Sequence, residues 1–72
     1  MYSLLVALAV LLAAASVEAH EGLKAEIQAL DARIAASPGA ADLLVARARE
    51  RRLDGDPAGE RVDLARAATL AP

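Results

Sequence analysis

The side chains that could take part in chemistry are one histidine, a group of arginines and a group of carboxylates. His20 is the only histidine, and the chain has no cysteine. A histidine at an amino terminus can bind copper through its amine and imidazole, but such sites generally need further ligands. We therefore expect no metal or other cofactor, and we expect His20 to be a solvated residue.

Four arginines lie close together in the second half of the chain, but they do not form a single basic patch. At about 100° per residue of helix, Arg47 and Arg51 share one side, whereas Arg49 and Arg52 point well away from it. The chain has a net charge of −2 and no aromatic residue after Tyr2. Base-stacking platforms are therefore missing, and we predict an ion-paired or solvated helix surface with no nucleic-acid partner.

A group of carboxylates surrounds a predicted helix turn, and acidic residues at helix ends commonly serve as caps and dipole partners. This group comprises Glu50, Asp54, Asp56, Glu60 and Asp63. A chain of 72 residues is at most one small domain, and no concave pocket can be inferred from it. We therefore predict that the protein is not an enzyme.

The amino-terminal segment has the pattern of a secretory signal peptide. Residues 4–15 are uninterrupted apolar sequence, and small or short side chains at Val17 and Ala19 precede an abrupt change to polar sequence at His20. We predict a signal peptide over 1–19, cleaved after Ala19, and a protein that is periplasmic or secreted.

The alternative is an uncleaved anchor in the inner membrane. The first residues carry no lysine or arginine, although signal peptides usually begin with a positive charge. Residues 2–17 number sixteen, whereas a spanning helix needs about 20. That mismatch favours the cleaved signal peptide, in which case the membrane is not a partner.

Apolar periodicity predicts helices after the signal peptide. Aliphatic residues spaced four, three and four apart define one helical face: Leu23, Ile27, Leu30 and Ile34. We predict a helix over 21–36, ended by the Ser-Pro-Gly sequence at 37–39, and a second helix over 41–53.

The sequence Gly55-Asp56-Pro57 predicts a sharp turn between the second helix and a third helix over 57–70. Glycine suits a left-handed helix stop, aspartate suits the N-cap, and proline suits the first helical position. A stop and a start within three residues predict an antiparallel helical hairpin. The expected fold class is therefore all-α.

A repeat of 34 residues is visible in the sequence. Pro38 and Pro72 are 34 residues apart, and Glu26 and Leu30 recur as Glu60 and Leu64. This is the period of the tetratricopeptide repeat (TPR). Residues 41–72 resemble one repeat, and 23–38 resemble the second half of a preceding one.

The resemblance rests on large, small and turn residues at matching positions. They are Leu44, Ala48, Gly55, Asp56, Leu64, Ala67 and Pro72. It implies a short α-solenoid fragment in which 20–38 supplies one packed helix and 39–72 a single TPR-like hairpin. It also implies a bacterial scaffold that binds a peptide or protein on a concave face.

Three residues depart from the family pattern. The family has apolar residues where this chain has Arg47 and Arg51, and alanine where it has Glu60. A carboxylate at a close helix crossing is costly unless it is paired. We expect Glu60 to pair with Arg51 or Arg47; the alternative is a drifted repeat that packs poorly.

Together these features predict an exported TPR-like protein or fragment that mediates protein–protein interaction. The alternative is a small membrane-anchored envelope protein that retains its apolar helix. We further expect the outer face of the third helix, near Leu64, Ala68 and Leu70, to lack a covering neighbour. Such a face also predicts self-association, because repeats of this class bury their apolar faces against neighbouring repeats.

Overall fold

The protein is all-α. A computed structural model describes the backbone of residues 2–71 and the side chains of residues 17–71. Three helices follow one another in the chain: α1 (Tyr2–Ala36), α2 (Ala41–Leu53) and α3 (Pro57–Leu70). The predicted bounds of α2 and α3 and the predicted end of α1 are confirmed. Met1 and Pro72, the residue predicted to close the repeat, lie outside the described residues.

The predicted start of α1 is wrong. The sequence pattern predicts a helix that begins at Glu21, whereas α1 begins at Tyr2 and continues through Ala19 and His20 without a break. The physical reason is that no proline separates the apolar run from the amphipathic part, and alanine is the best helix former. The change in polarity near residue 19 is therefore not a boundary in secondary structure, and cleavage there stays a prediction.

A tight turn separates α1 from α2. The Ser37 amide donates to the carbonyl oxygen of Arg33 at 2.9 Å, which completes the last turn of α1. The Ala40 amide then donates to the Ser37 oxygen at 3.1 Å, which encloses Pro38 and Gly39 in a turn. Proline ends the helix because its ring disfavours helical backbone angles in the preceding residue.

The turn between α2 and α3 has the predicted chemistry. Gly55 adopts a left-handed φ of 77°, and the amides of Gly55 and Asp56 donate to the carbonyl oxygens of Arg52 and Arg51. This is a Schellman stop. Asp56 then caps α3 by accepting a hydrogen bond from the Gly59 amide at 2.9 Å, and Pro57 occupies the first turn. A Cβ atom at Gly59 would collide with the capping carboxylate.

The three helices form an open layer with α2 in the middle. Side-chain pairs between α2 and each neighbour run in opposite residue order, so both neighbours are antiparallel to α2. Within the described chain, no Cα atom of α1 lies within 8 Å of a Cα atom of α3. The layer is therefore built from α1–α2 and α2–α3 packing.

The core is small and lies along both sides of α2. Its buried apolar residues are Leu30, Leu43, Leu44, Ala48 and Ala67. The predicted apolar face of α1 is confirmed, because Leu30 is buried and Leu23, Ile27 and Ile34 are half-buried while their neighbours are exposed. Aliphatic burial of this kind is the main favourable contribution to helix packing.

Candidate interaction surface

Arg47 lies at the centre of the layer and contacts both neighbouring helices. Its Nε and Nη2 atoms donate to the two carboxylate oxygens of Asp63 on α3, at 2.9 and 2.8 Å. Its Nη1 atom donates to Asp31 Oδ1 on α1 at 2.8 Å. The guanidinium geometry suits this arrangement, since it offers several donors in one plane. Arg47 therefore joins three helices through charge-assisted hydrogen bonds.

Asp63 is a buried carboxylate, with 1% of its surface exposed. Arg51 Nε lies 3.5 Å from Asp63 Oδ2, so two arginines face this one side chain. Hydrogen bonding to Asp63, together with that to Asp31, raises the pKa of the Arg47 guanidinium despite its partial burial. The guanidinium therefore stays charged, and the burial of Asp63 is compensated by its two arginine partners.

The predicted partner of Arg47 and Arg51 is wrong. Both arginines pair with Asp63, whereas Glu60 approaches Arg52, with 3.8 Å between Glu60 Oε2 and Arg52 Nε. The reason is axial: Glu60 and Asp63 share one face of α3, but Glu60 lies nearer the Gly55 turn and is level with Arg52, whereas Asp63 lies one turn further on and is level with Arg47. Arg47 and Asp63 lie at equal distances of eight residues from Gly55, and that symmetry about the turn was the sequence signal that could have identified Asp63.

The described repeat positions fall into three groups: buried residues, turn residues and one exposed leucine. Leu44, Ala48 and Ala67 are buried between helices, and Gly55 and Asp56 form the turn described above. Leu64 is 43% exposed. The expectation of an uncovered outer face on α3 is confirmed, since Leu70 and Ala68 are also exposed.

A shallow groove of about 160 Å³ runs between α2 and α3 beside Leu64. We call it the outer groove, and it is lined by Val45, Ala48, Arg49, Arg52, Glu60 and Leu64. Its walls combine exposed aliphatic side chains with two arginines and one glutamate. Val45 and Arg49 are each two residues from Arg47, about 200° around α2, so the groove lies on the side of α2 opposite Arg47.

His20 is exposed, as predicted, and it also approaches the residue that follows α2. Its Nδ1 atom lies 3.1 Å from Asp54 Oδ1, which is buried and has no hydrogen-bond donor among the described residues. A depression of about 300 Å³ surrounds the pair and is lined also by Ala19, Leu23 and Leu53. The predicted cleavage position therefore lies where α1 packs against the end of α2.

Two further observations concern metals and membranes. No cluster of three or more His, Cys, Asp or Glu side chains with the arrangement of a metal site occurs in the part of the chain that the structure describes. In that same part, no helix is both long and apolar enough to span a membrane.

Comparison of the chain with protein-family models, with curated proteins and with solved structures finds no match.

Proposed function

We propose that this chain is an exported TPR-like protein or fragment that binds a partner protein or peptide and has no catalytic activity. The observation that carries the proposal is the outer groove, where Val45 and Leu64 are each more than 40% exposed beside a small apolar core. Helical repeats of this kind use such surfaces for contacts with neighbouring helices or ligands.

The export part of the proposal rests on the sequence of residues 1–19. An apolar run of signal-peptide length precedes small residues before the predicted cleavage position. The protein would then act in the periplasm or outside the cell. The chain has no cysteine, so its fold would depend on helix packing and on its partner rather than on disulfides.

The membrane-anchored alternative is favoured by one observation. α1 is a single helix from Tyr2 to Ala36, so the apolar amino-terminal segment continues directly into the part that packs on α2. Retention of this segment would hold the layer at the inner membrane. The two proposals differ in the mature amino terminus and agree on partner binding.

Partner binding is tested by site-specific photo-cross-linking in the producing cells. A benzophenone side chain is introduced at Val45 or Leu64, with Ala65 as the matched control, because it is exposed but lies about 100° around α3 from Leu64. We expect a discrete cross-linked species from the two groove positions alone. The same products from all three positions, or none from any, would contradict the proposal.

A further inference from the structure

The outer groove has the form of a docking site for one more helix. It lies between two antiparallel helices, and its walls carry Val45 and Leu64 flanked by Arg49, Arg52 and Glu60. A helix laid in such a groove buries one apolar stripe and leaves its polar face in water. The polar residues that flank this apolar stripe must also match the charge of the groove.

The protein already contains one example of a helix docked against α2. α1 packs with a stripe of aliphatic residues spaced four, three and four apart, and beside that stripe Asp31 accepts a hydrogen bond from Arg47. The docked helix thus supplies aliphatic contact and a carboxylate, and α2 supplies the arginine. The outer groove, on the side of α2 opposite Arg47, likewise combines aliphatic side chains with arginines of α2.

Charge on the outer groove favours an acidic partner. Among the described side chains, Arg49 has no carboxylate within 4.0 Å, and Arg52 is 66% exposed with only a 3.8 Å approach to Glu60. An arriving carboxylate would therefore meet two guanidinium groups whose hydrogen-bonding capacity is largely unused. Covering the groove removes water from these charges and strengthens their attraction.

From these features we infer that the outer groove binds an acidic amphipathic helix of a partner protein; this inference rests on the proposed function and specifies its partner. The partner helix carries aliphatic residues every three or four positions. Arg49 and Arg52 are three residues, about 4.5 Å, apart along α2. Two carboxylates one turn apart on the partner would therefore face them together.

The test uses the full chain and two fluorescein-labelled synthetic helices of about 16 residues, a length at which isolated helices begin to form. Both peptides have the same aliphatic stripe; one carries glutamates beside it and the other carries lysines. Binding is measured by fluorescence anisotropy at low salt. We expect the acidic peptide to bind at least about tenfold more tightly, because complementary charge selects the partner and like charge repels it.

Variants of the exposed arginines supply the control. Replacing Arg49 and Arg52 together by glutamate should reverse the preference, while Arg66→Glu, the same charge change about 200° around α3 from Leu64, should leave it unchanged. Circular dichroism shows whether each variant keeps its helices. Equal binding of both peptides, no binding of either, or an equal effect of Arg66→Glu would overturn the inference.

A second copy of the chain is the competing occupant. Analytical ultracentrifugation showing a dimer that Leu64→Asp dissociates would assign the groove to self-association and overturn the inference. If the peptides fail but cross-linking at Val45 and Leu64 succeeds, the partner is not an acidic helix and the proposed function stands. If both experiments fail, both proposals fall.

Discussion

Replacing Asp63 by alanine removes the carboxylate that accepts two hydrogen bonds from Arg47. The guanidinium of Arg47 would remain between the helices, with 17% of its side chain exposed. Arg51 would lose its carboxylate contact at 3.5 Å as well. Two positive charges would then face each other across a site from which water is largely excluded, and the α2–α3 packing should weaken.

The expected loss in the free energy of unfolding follows from the burial of the Arg47–Asp63 pair. Removing one partner of a buried ion pair costs about 3–5 kcal/mol, because the other charge is left uncompensated. Arg47 is only partly buried and keeps its contact with Asp31, so we expect the lower end, about 3 kcal/mol. Asp31→Ala removes the other carboxylate that pairs with Arg47, but the Asp31 side chain is 49% exposed. Asp31→Ala should therefore lower the free energy of unfolding by about 0.5 kcal/mol.

The assay is urea unfolding of the full chain followed by circular dichroism, with the free energy of unfolding taken from the midpoint and slope. If Asp63→Ala unfolds the chain entirely, a double substitution tests whether the unpaired charge of Arg47 is the cause. Arg47→Met with Asp63→Leu removes both charges and should recover helicity, because apolar replacement of a buried pair is often neutral or stabilising. An Asp63→Ala cost no larger than that of Asp31→Ala would refute the reasoning.

Three further predictions use simpler measurements. Gly55→Ala should destabilise the chain by about 1 kcal/mol because Gly55 has a φ of 77°, whereas Gly22→Ala in the exposed part of α1 should stabilise it by a similar amount; equal effects in urea unfolding would contradict this. Glu60→Ala should change stability by less than about 0.5 kcal/mol, since its arginine contact is long and exposed; a cost above about 2 kcal/mol would mean that Glu60 is a structural ion-pair partner after all. Mass spectrometry of the exported protein should find His20 at the amino terminus, and a membrane-bound chain that retains Met1 would favour the anchor.

Local signals in the sequence were sufficient for the bounds of α2 and α3 and for the end of α1. The Gly55 stop and the Asp56 cap depend on backbone geometry within four residues, and both are found in the structure. The choice between Glu60 and Asp63 was not local. The two residues are three apart on one face of α3, and their axial position along α2 decides which one is level with Arg47.

The start of α1 and the contact of His20 were missed for a related reason. A change from apolar to polar sequence suggests a processing site, but it does not break a helix, and α1 continues through it. The approach of His20 to Asp54 depends on how α1 lies along α2, over residues 34 positions apart. No local pattern around His20 carries that information.

The four arginines of α2 explain how one short helix can hold neighbours on several sides. Arg47 and Arg51 point toward Asp63, and Arg47 also reaches Asp31, whereas Arg49 and Arg52 line the outer groove. An apolar residue at position 47 would add contact area but would specify no particular neighbour. An arginine there favours a neighbouring helix that places a carboxylate within hydrogen-bonding distance of it. A helix without such a carboxylate packs less favourably, because an unpaired charge at a packed crossing is costly.

This selectivity also bears on the resemblance to the tetratricopeptide repeat. The charges at 47 and 51 depart from the family pattern, yet both have a carboxylate partner in Asp63, so they are compatible with a well-packed hairpin. Because α1 and α3 do not approach each other within the described chain, each contributes to stability mainly through α2. A helix added at the outer groove would pack on α2 and α3 together, with its carboxylates facing Arg49 and Arg52.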